Sequence, residues 1–373
     1  MNYYKKILII VSIFIFSSRF LGFFLPLHFD NLGFNGFEIG LFFASFAFAG
    51  LVSAFHSGIW NDRFDSRKLI IIGLILFGIY LLFLSFNISL ILILIAFFIG
   101  GLGNRLFDLS SDSYVLKKII KNKGFKLGFY HAIKCFSSAL AIFLGGYLLY
   151  YLNFNLLLLF SSIILLFPII LTYYLPKTEV SFNEIKLYFS DIMHRRTIIF
   201  LSLLFLFTFH WGVEHTSYTL FLKNNLSLST LQMGLYMAPP IIGLGLFAIY
   251  IGKKYDKGLS QKNILFIAFI LSGLGLFFMA FFNNVYVSFI FRIIHELGDG
   301  AFAIFMLTGT SNYFPKARLG GGYGFVMLTI IISQMLSSLI FSPIGHNFGY
   351  HVPHLIVGSL LFIAGFLVFL FRK

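Results

Sequence analysis

The segment GIWNDRFDSRK, residues 58–68, separates two long apolar runs and places five charged residues within seven positions. A second segment, GKKYDKGLSQK at residues 252–262, repeats its Gly and its first Asp 194 positions later. Clusters of Lys and Arg between apolar runs are typical of the cytoplasmic turns of membrane proteins. The two segments therefore predict two related membrane-embedded halves, each with a charged turn at the same place.

The apolar runs on either side continue along the whole chain of 373 residues, of which 59% are hydrophobic and 11% are charged. A soluble globular chain is about 45–50% apolar and about 25% charged. Runs of about 18 or more apolar residues can cross a bilayer, and they must do so as helices because lipid offers the backbone no hydrogen-bond partner. Twelve such spans are predicted: 7–27, 37–57, 69–86, 89–109, 127–150, 156–174, 198–220, 233–251, 264–282, 287–308, 323–341 and 355–371.

The basic residues predict the orientation of these spans. Lys and Arg lie at both ends of the chain and in alternate loops, whereas the opposite loops contain only Lys223. This distribution predicts that both termini are cytoplasmic, in a multi-pass protein of the bacterial inner (plasma) membrane. It also accounts for the net charge of +14, so binding of nucleic acid is not expected. The first span is longer than the apolar core of a signal peptide, about 7–15 residues, and is interpreted as a permanent helix.

Short matches in one order indicate that the chain is duplicated. NLGFNGFEIG at 31–40 resembles NLSLSTLQMG at 225–234, the LG pair at 102–103 recurs at 297–298, and GFKLGF at 124–129 resembles GGGYGF at 320–325. We predict two six-helix halves, 1–174 and 198–373, joined by a cytoplasmic linker at 175–197. Two parallel six-helix halves are a transporter architecture.

The charged turn carries a resemblance to a known family, the major facilitator superfamily of transporters. That family has G-x-x-x-D-[RK]-x-G-[RK]-[RK] after its second helix; Gly58, Asp62 and Arg63 fit the pattern, whereas Asp65 replaces its Gly. The resemblance implies a fold of twelve helices in two pseudo-symmetric halves, and a carboxylate at Asp62 that bonds to a neighbouring helix end in one transport state. A purely topological role of this turn is the alternative. The gating loops are assigned to Gly58, Asp62, Arg63, Arg67, Gly252, Asp256 and Lys257.

Ionisable residues inside the predicted spans indicate where the functional site lies, since each costs at least about 2.5–3.5 kcal/mol to insert into the membrane. Most of them lie on the first, fourth, seventh and tenth spans, which the resemblance implies line the central cavity. The candidates for the substrate cavity are Arg19, Arg105, Asp108, Asp112, Trp211, His215 and Arg292. A structural ion pair between Arg105 and an Asp of its own span is the alternative for that part of the set.

A carboxylate beside a histidine can bind and release a proton near neutral pH. The candidates for proton coupling are Glu214, His210, His295, Glu296 and Asp299. Glu214 is favoured because it has a histidine on each side and no permanently charged cation on its own helix. No metal site is expected, because His346, His351 and His354 have no metal-binding spacing.

These features together predict a secondary transporter that moves a small molecule by alternating access, driven by protons, with uptake favoured over export. A drug or metabolite efflux antiporter and a non-transporting membrane sensor or assembly factor are the alternatives. No nucleotide-binding motif, nucleophile elbow or metal motif occurs, so ATP drive and enzymatic activity are not expected. The predicted partners are the substrate, protons and the lipid bilayer; no cofactor is expected, and the protein is predicted to be a monomer.

Overall fold

The computed structural model of the chain describes residues 2–22, 24–34, 36–86, 89–119, 121–149 and 151–370, and all regular structure in these ranges is helical. The basic residues Arg372 and Lys373, which the topology prediction used, lie outside them. The α-helices of this part are α1 Tyr3–Phe20, α2 Leu25–Asn31, α3 Gly36–Arg63, α4 Ser66–Leu84, α5 Leu90–Lys118, α6 Lys123–Leu148, α7 Phe154–Ile164, α8 Leu166–Tyr173, α9 Ile185–Met193, α10 Arg195–Val213, α11 Thr219–Asn224, α12 Thr230–Asp256, α13 Gln261–Phe281, α14 Val285–Tyr313, α15 Leu319–Phe348 and α16 His351–Leu370.

The helices of the described ranges include ten spans that are long and apolar enough to cross a membrane, counting α7 with α8 and α10 with α11 as one span each. Two more long helices, α1 and α14, carry three or more charged residues each and are less apolar for that reason. Eleven of the twelve spans predicted from the sequence fall on these helices within the described residues. The first, 7–27, was predicted as one helix but is divided between α1, which ends at Phe20, and α2, which begins at Leu25. The predicted class, an all-α membrane protein, is therefore confirmed.

The fourth predicted span, 89–109, is extended by the structure into a helix that runs on to Lys118. The additional turns contain Ser110, Ser111, Asp112 and Ser113, all of which are buried. The predicted span ends at Leu109 because polar residues follow the apolar run there. The helix continues because other side chains pair with this polar segment; Asn61, for example, donates to the Ser110 hydroxyl at 2.9 Å.

Asp65, the residue that departs from the family motif, has a structural role at the start of α4. Its side chain is the N-cap of that helix and accepts from the Arg67 amide at 3.1 Å. It also accepts from the Arg67 guanidinium at 2.8 Å and from the Thr178 amide at 3.3 Å. Burial raises the pKa of the Asp65 carboxyl, but these hydrogen bonds outweigh it and hold the pKa below its usual value.

The close approach of α13 and α14 depends on Gly275. A Cβ atom added there would lie 2.4 Å from the backbone nitrogen of His295, a distance that no real Cβ tolerates. Small residues allow membrane helices to pack backbone to backbone. This contact positions the polar face of α14 that is described below.

The described helices divide into two compact units: Met1–Lys118, Ser137–Asp191 and Phe314–Leu328 form the first, and Ile119–Phe136, Ile192–Tyr313 and Thr329–Lys373 form the second. These units differ from the predicted halves 1–174 and 198–373 at α6 and α15, each of which contributes residues to both units. The predicted linker, 175–197, contains the short helix α9.

Labelling of single cysteines tests the predicted orientation. In a Cys135→Ala background, cysteines at Asn283 and His346 should react from outside intact cells with a membrane-impermeant maleimide, because both positions are exposed. Asn283 lies in the loop before α14 and His346 in the last turn of α15, and both lie on the side predicted to be poor in Lys and Arg. A cysteine at the exposed Ser190 of α9 should react only after the cells are permeabilised. Labelling of the cysteine at Ser190 from outside would overturn this orientation.

Candidate coupling and substrate site

The seventh predicted span is interrupted at the site. Helix α10 ends at Val213 and passes into a π-helical turn, Glu214–Tyr218, before α11 begins. The carbonyl of Gly212 accepts from the hydroxyls of Thr216 at 3.0 Å and Ser338 at 3.1 Å, which stabilises the turn. Turns of this kind are rare and occur frequently at functional sites. The sequence analysis treated 198–220 as one continuous helix and did not predict the turn.

The polar face of α14 packs against this turn. Its four ionisable residues, at spacing i, i+3, i+4 and i+7, are all buried: Arg292, His295, Glu296 and Asp299. Arg292 donates to Glu214 of the π-helical turn and, at 2.5 Å, to Glu296 of its own helix. The guanidinium also lies 4.3 Å from the centre of the Tyr218 ring.

The pairing of Arg292 changes the surroundings expected for Glu214. No permanently charged cation lies near Glu214 along its own span, as the sequence indicates, but α14 supplies one. Charges buried in a protein need such pairing because their desolvation costs several kcal/mol each. Glu214 is therefore an ion-paired carboxylate in this conformation, shared between a guanidinium and a histidine.

Two buried histidines face the carboxylates. The Nδ1 atom of His210 lies 2.6 Å from the Phe207 carbonyl oxygen, and the Nδ1 atom of His295 lies 3.1 Å from the Ser272 carbonyl oxygen. A carbonyl oxygen can only accept, so the proton of each neutral ring is on Nδ1. The Nε2 atoms then face carboxylates, His295 at 3.1 Å from Glu214 and His210 at 3.4 Å from Asp299.

Asp299 is held by two further donors. The indole Nε1 of Trp211 donates to its Oδ2 at 2.7 Å, and the Ser272 hydroxyl donates to its Oδ1 at 2.5 Å. Trp211 was predicted as a cavity residue, and the structure shows it as a hydrogen-bond donor to this carboxylate. Ser272 was missed because it is one hydroxyl in an apolar span. We call Arg292, Glu214, Glu296, His210, His295 and Asp299 the ionic cluster.

The other predicted cavity residues lie apart from the ionic cluster. His215 is exposed on the π-helical turn, and Arg19 is exposed at the end of α1. In the first unit, Asp112 accepts from the Tyr323 hydroxyl at 2.6 Å, and Asp108 accepts from the Asn104 amide at 3.2 Å.

Arg105 is the remaining cavity candidate of the first unit. Its Nε is buried and lies 3.6 Å from where a Cβ of Gly50 would be, so it faces α3. Two groups of ionisable residues are thus present, one in each unit.

The first gating turn forms a carboxylate clamp, by which we mean Asp62 with its backbone partners on α15. The Asp62 oxygens accept from the amides of Gly320 at 2.9 Å and Gly321 at 2.7 Å, and the Lys117 ammonium lies 2.9 Å away. Amides in the first turn of a helix have no partner within the helix, and the helix dipole favours an anion there. A Cβ at Gly58 would lie 2.7 Å from the Gly320 carbonyl oxygen, so this Gly permits the approach.

The second gating turn repeats the same arrangement. Asp256 accepts from the amides of Gly124 at 2.7 Å and Phe125 at 2.8 Å, both in the first turn of α6. Gly252 again permits the approach, since its Cβ would lie 2.1 Å from the Gly124 carbonyl oxygen. Lys257 follows α12 and is exposed.

The cations of the first turn have a different role, because they bind the predicted linker. Arg63 donates to the Asn183 carbonyl at 3.0 Å, and Arg67 donates to the Leu175 carbonyl at 2.8 Å. The first turn therefore combines a clamp on α15 with attachment of the segment at 175–197.

A family model described as Major Facilitator Superfamily matches residues 7–258 and 200–373 of the chain. Similar solved structures include the human organic anion transporter MFSD10 (TETRAN), with a TM-score of 0.79, 14% identity and coverage of 99% of this chain and 100% of that one. The E. coli fucose:proton symporter FucP has a TM-score of 0.80 at 14% identity, with 100% of both chains covered. The proton:xylose symporter XylE, bound to 6-bromo-6-deoxy-D-glucose, has a TM-score of 0.78 at 14% identity over 100% of this chain and 96% of that one. No curated protein shows significant sequence similarity to the chain.

Proposed function

The chain belongs to the major facilitator superfamily, a family of transporters and not of enzymes, and we propose that it is a proton-coupled secondary transporter. It moves a small molecule across the bacterial inner membrane by alternating access, with both termini in the cytoplasm. The two halves that exchange access are 1–174 and 198–373. Uptake is the proposed direction, and proton-driven export of a metabolite or drug is the alternative.

The observation that carries the proposal is the charge balance of the ionic cluster. Its three carboxylates and one guanidinium carry a net charge of −2 when both histidines are neutral. Such a charge is costly in a buried, low-dielectric position. Two protons bound between the histidine Nε2 atoms and their carboxylate neighbours would neutralise it. A site whose charge depends on bound protons can couple proton movement to the exposure of the site on alternate sides.

Two further observations support transport over a sensor role. The ionic cluster keeps five ionisable side chains buried and Glu214 half-buried, each at an insertion cost that a non-transporting relative would have no reason to retain. The solved structures with the same fold include two proton symporters. The identity of the substrate can be sought by thermal-shift screening of sugars, nucleosides, amino acids, organic acids and drugs, because a ligand of the native state raises its stability.

Glu214→Gln should separate proton coupling from substrate movement. Glutamine has nearly the same shape as glutamate but neither charge nor a proton to exchange, so transport driven by a pH gradient should fall to background. Substrate exchange at equal pH on both sides should remain within about threefold of wild type, because it needs no net proton movement. Proteoliposomes with an internal pH dye report proton flux, and labelled substrate reports exchange.

Glu184→Gln is the matched control, since it makes the same chemical change at an exposed residue of the linker and should leave both rates unchanged. Full pH-driven transport by Glu214→Gln, together with its loss in Glu296→Gln or Asp299→Asn, would move the proton site to α14. Retention of pH-driven transport by all three variants would refute coupling through this cluster.

A further inference from the structure

We propose that His210, Glu214, His295 and Asp299 form a binding site for a divalent transition-metal ion of the Zn²⁺ and Co²⁺ class. One ligand atom from each residue can be chosen so that all four lie within 4.8 Å of one another. The inference goes beyond proton coupling and rests on the geometry of these four side chains and of the groups that hold them. It therefore stands whether or not the chain moves protons.

Three of the distances between the ligand atoms are close to those of a tetrahedral metal centre. Zn²⁺ binds histidine nitrogen and carboxylate oxygen at about 2.0–2.2 Å, which separates tetrahedral ligands by about 3.3–3.6 Å. The Nε2 atom of His295 lies 3.1 Å from Glu214 and 3.9 Å from Asp299, and the Nε2 atom of His210 lies 3.4 Å from Asp299. Small rotations of the side chains would bring these distances to the tetrahedral value.

The histidines are oriented as metal ligands usually are. A histidine that binds a metal almost always donates its other ring N–H to a carbonyl or a carboxylate, which fixes the tautomer and aims the second nitrogen at the ion. His210 and His295 both do this through Nδ1 to backbone carbonyls. Both side chains are fully buried, and within the described residues neither Nε2 makes a hydrogen bond of acceptable geometry, despite the carboxylates nearby.

Hydrogen bonds orient one of the carboxylate ligands, and a bound ion would neutralise the charge of the cluster. Trp211 and Ser272 each donate to Asp299, so its orientation does not depend on the ion. Arg292 can remain paired with Glu296, and a dication then balances the charge of −2 in the ionic cluster. Two nitrogen and two oxygen ligands favour Zn²⁺ or Co²⁺ over Mg²⁺ or Ca²⁺, which prefer sites made of oxygen alone.

Co²⁺ titration of the purified full-length protein, with any histidine tag removed, tests the site. The chain has two tryptophans, so Trp60→Phe leaves Trp211 as the only one, and its indole is bonded to the ligand Asp299. Co²⁺ should quench the fluorescence of Trp211 and should give the strong visible absorption of tetrahedral cobalt with the same dissociation constant. Zn²⁺ should reverse both signals by competition, whereas Mg²⁺ should not.

His295→Gln and, separately, Asp299→Asn in the Trp60→Phe background should each weaken Co²⁺ binding by at least about a hundredfold, beyond the 10–100-fold typical for residues that only support a ligand. His346→Gln, which removes an exposed histidine elsewhere, should bind Co²⁺ like its parent. Size-exclusion profiles must match before affinities are compared, and the asparagine variant serves if the glutamine variant misfolds.

Absence of quenching and tetrahedral absorption in the parent would overturn the proposal, as would unchanged affinity in a folded His295→Gln or Asp299→Asn variant. Because these measurements need no transport, metal binding without pH-driven transport would refute proton coupling alone. Proton-coupled transport without metal binding would refute the metal site alone.

Discussion

Arg292→Gln is expected to abolish transport and to destabilise the protein. Arg292 is the cation shared by Glu214 and Glu296, and its side chain is 8% exposed. Removing one member of a buried ion pair leaves an uncompensated charge and costs about 3–5 kcal/mol. The variant should unfold at a clearly lower temperature in detergent, measured by size exclusion after heating, and it should not accumulate substrate in proteoliposomes.

Two companion variants make this result specific to charge pairing. Arg292→Lys keeps the charge but lacks the planar guanidinium that reaches both carboxylates. Its stability should therefore lie between those of the wild type and Arg292→Gln. Adding Glu296→Gln to Arg292→Gln removes one of the two carboxylates that the first substitution leaves without a cation. The double variant should recover part of the lost stability without recovering transport. Wild-type stability of the single Arg292→Gln variant would show that the guanidinium is not the partner of these carboxylates.

Asp62→Asn is expected to slow transport strongly while leaving membrane insertion and substrate affinity unchanged. The substitution removes the anion that accepts from Gly320 and Gly321 and pairs with Lys117, and the asparagine NH₂ group would face one of the two amides. An anion at a partly buried helix N-terminus contributes up to about 2 kcal/mol. Such a loss shifts a conformational equilibrium by about thirtyfold.

Asp256→Asn is the matched variant, because it makes the same chemical change at the second gating turn, where Asp256 accepts from two amides at the start of α6. Initial rates and substrate affinities measured side by side in vesicles distinguish a change of rate from a change of binding. A turn that only sets topology would give wild-type rates in Asp62→Asn, and that result would contradict a gating role.

The chemistry of α14 could be predicted from the sequence because it follows from helical spacing. Residues at i, i+3, i+4 and i+7 share one face whatever surrounds them, so Arg292, His295, Glu296 and Asp299 were placed together. The clamp at Asp62 could also be anticipated from the family motif. In each case the necessary information lies within a few residues along the chain.

The contacts between helices could not be predicted in the same way. Arg292 meets Glu214 across 78 positions of sequence, and that meeting depends on how α10 and α14 are rotated about their axes. The π-helical turn changes this rotation within the seventh span. The carbonyls that fix the tautomers of His210 and His295 belong to the backbone, which leaves no sequence signal.

The π-helical turn also bears on the internal repeat predicted for the chain. Its positions, 214–218, correspond through the repeat offset of 194 to positions 20–24, where α1 ends at Phe20 and α2 begins at Leu25. The offset of the predicted repeat therefore brings the two interruptions to the same position, although Glu214 has Phe20 as its counterpart. The repeat carries over the discontinuity of the helix and not the carboxylate, so the charge of the ionic cluster is a feature of the second predicted half alone.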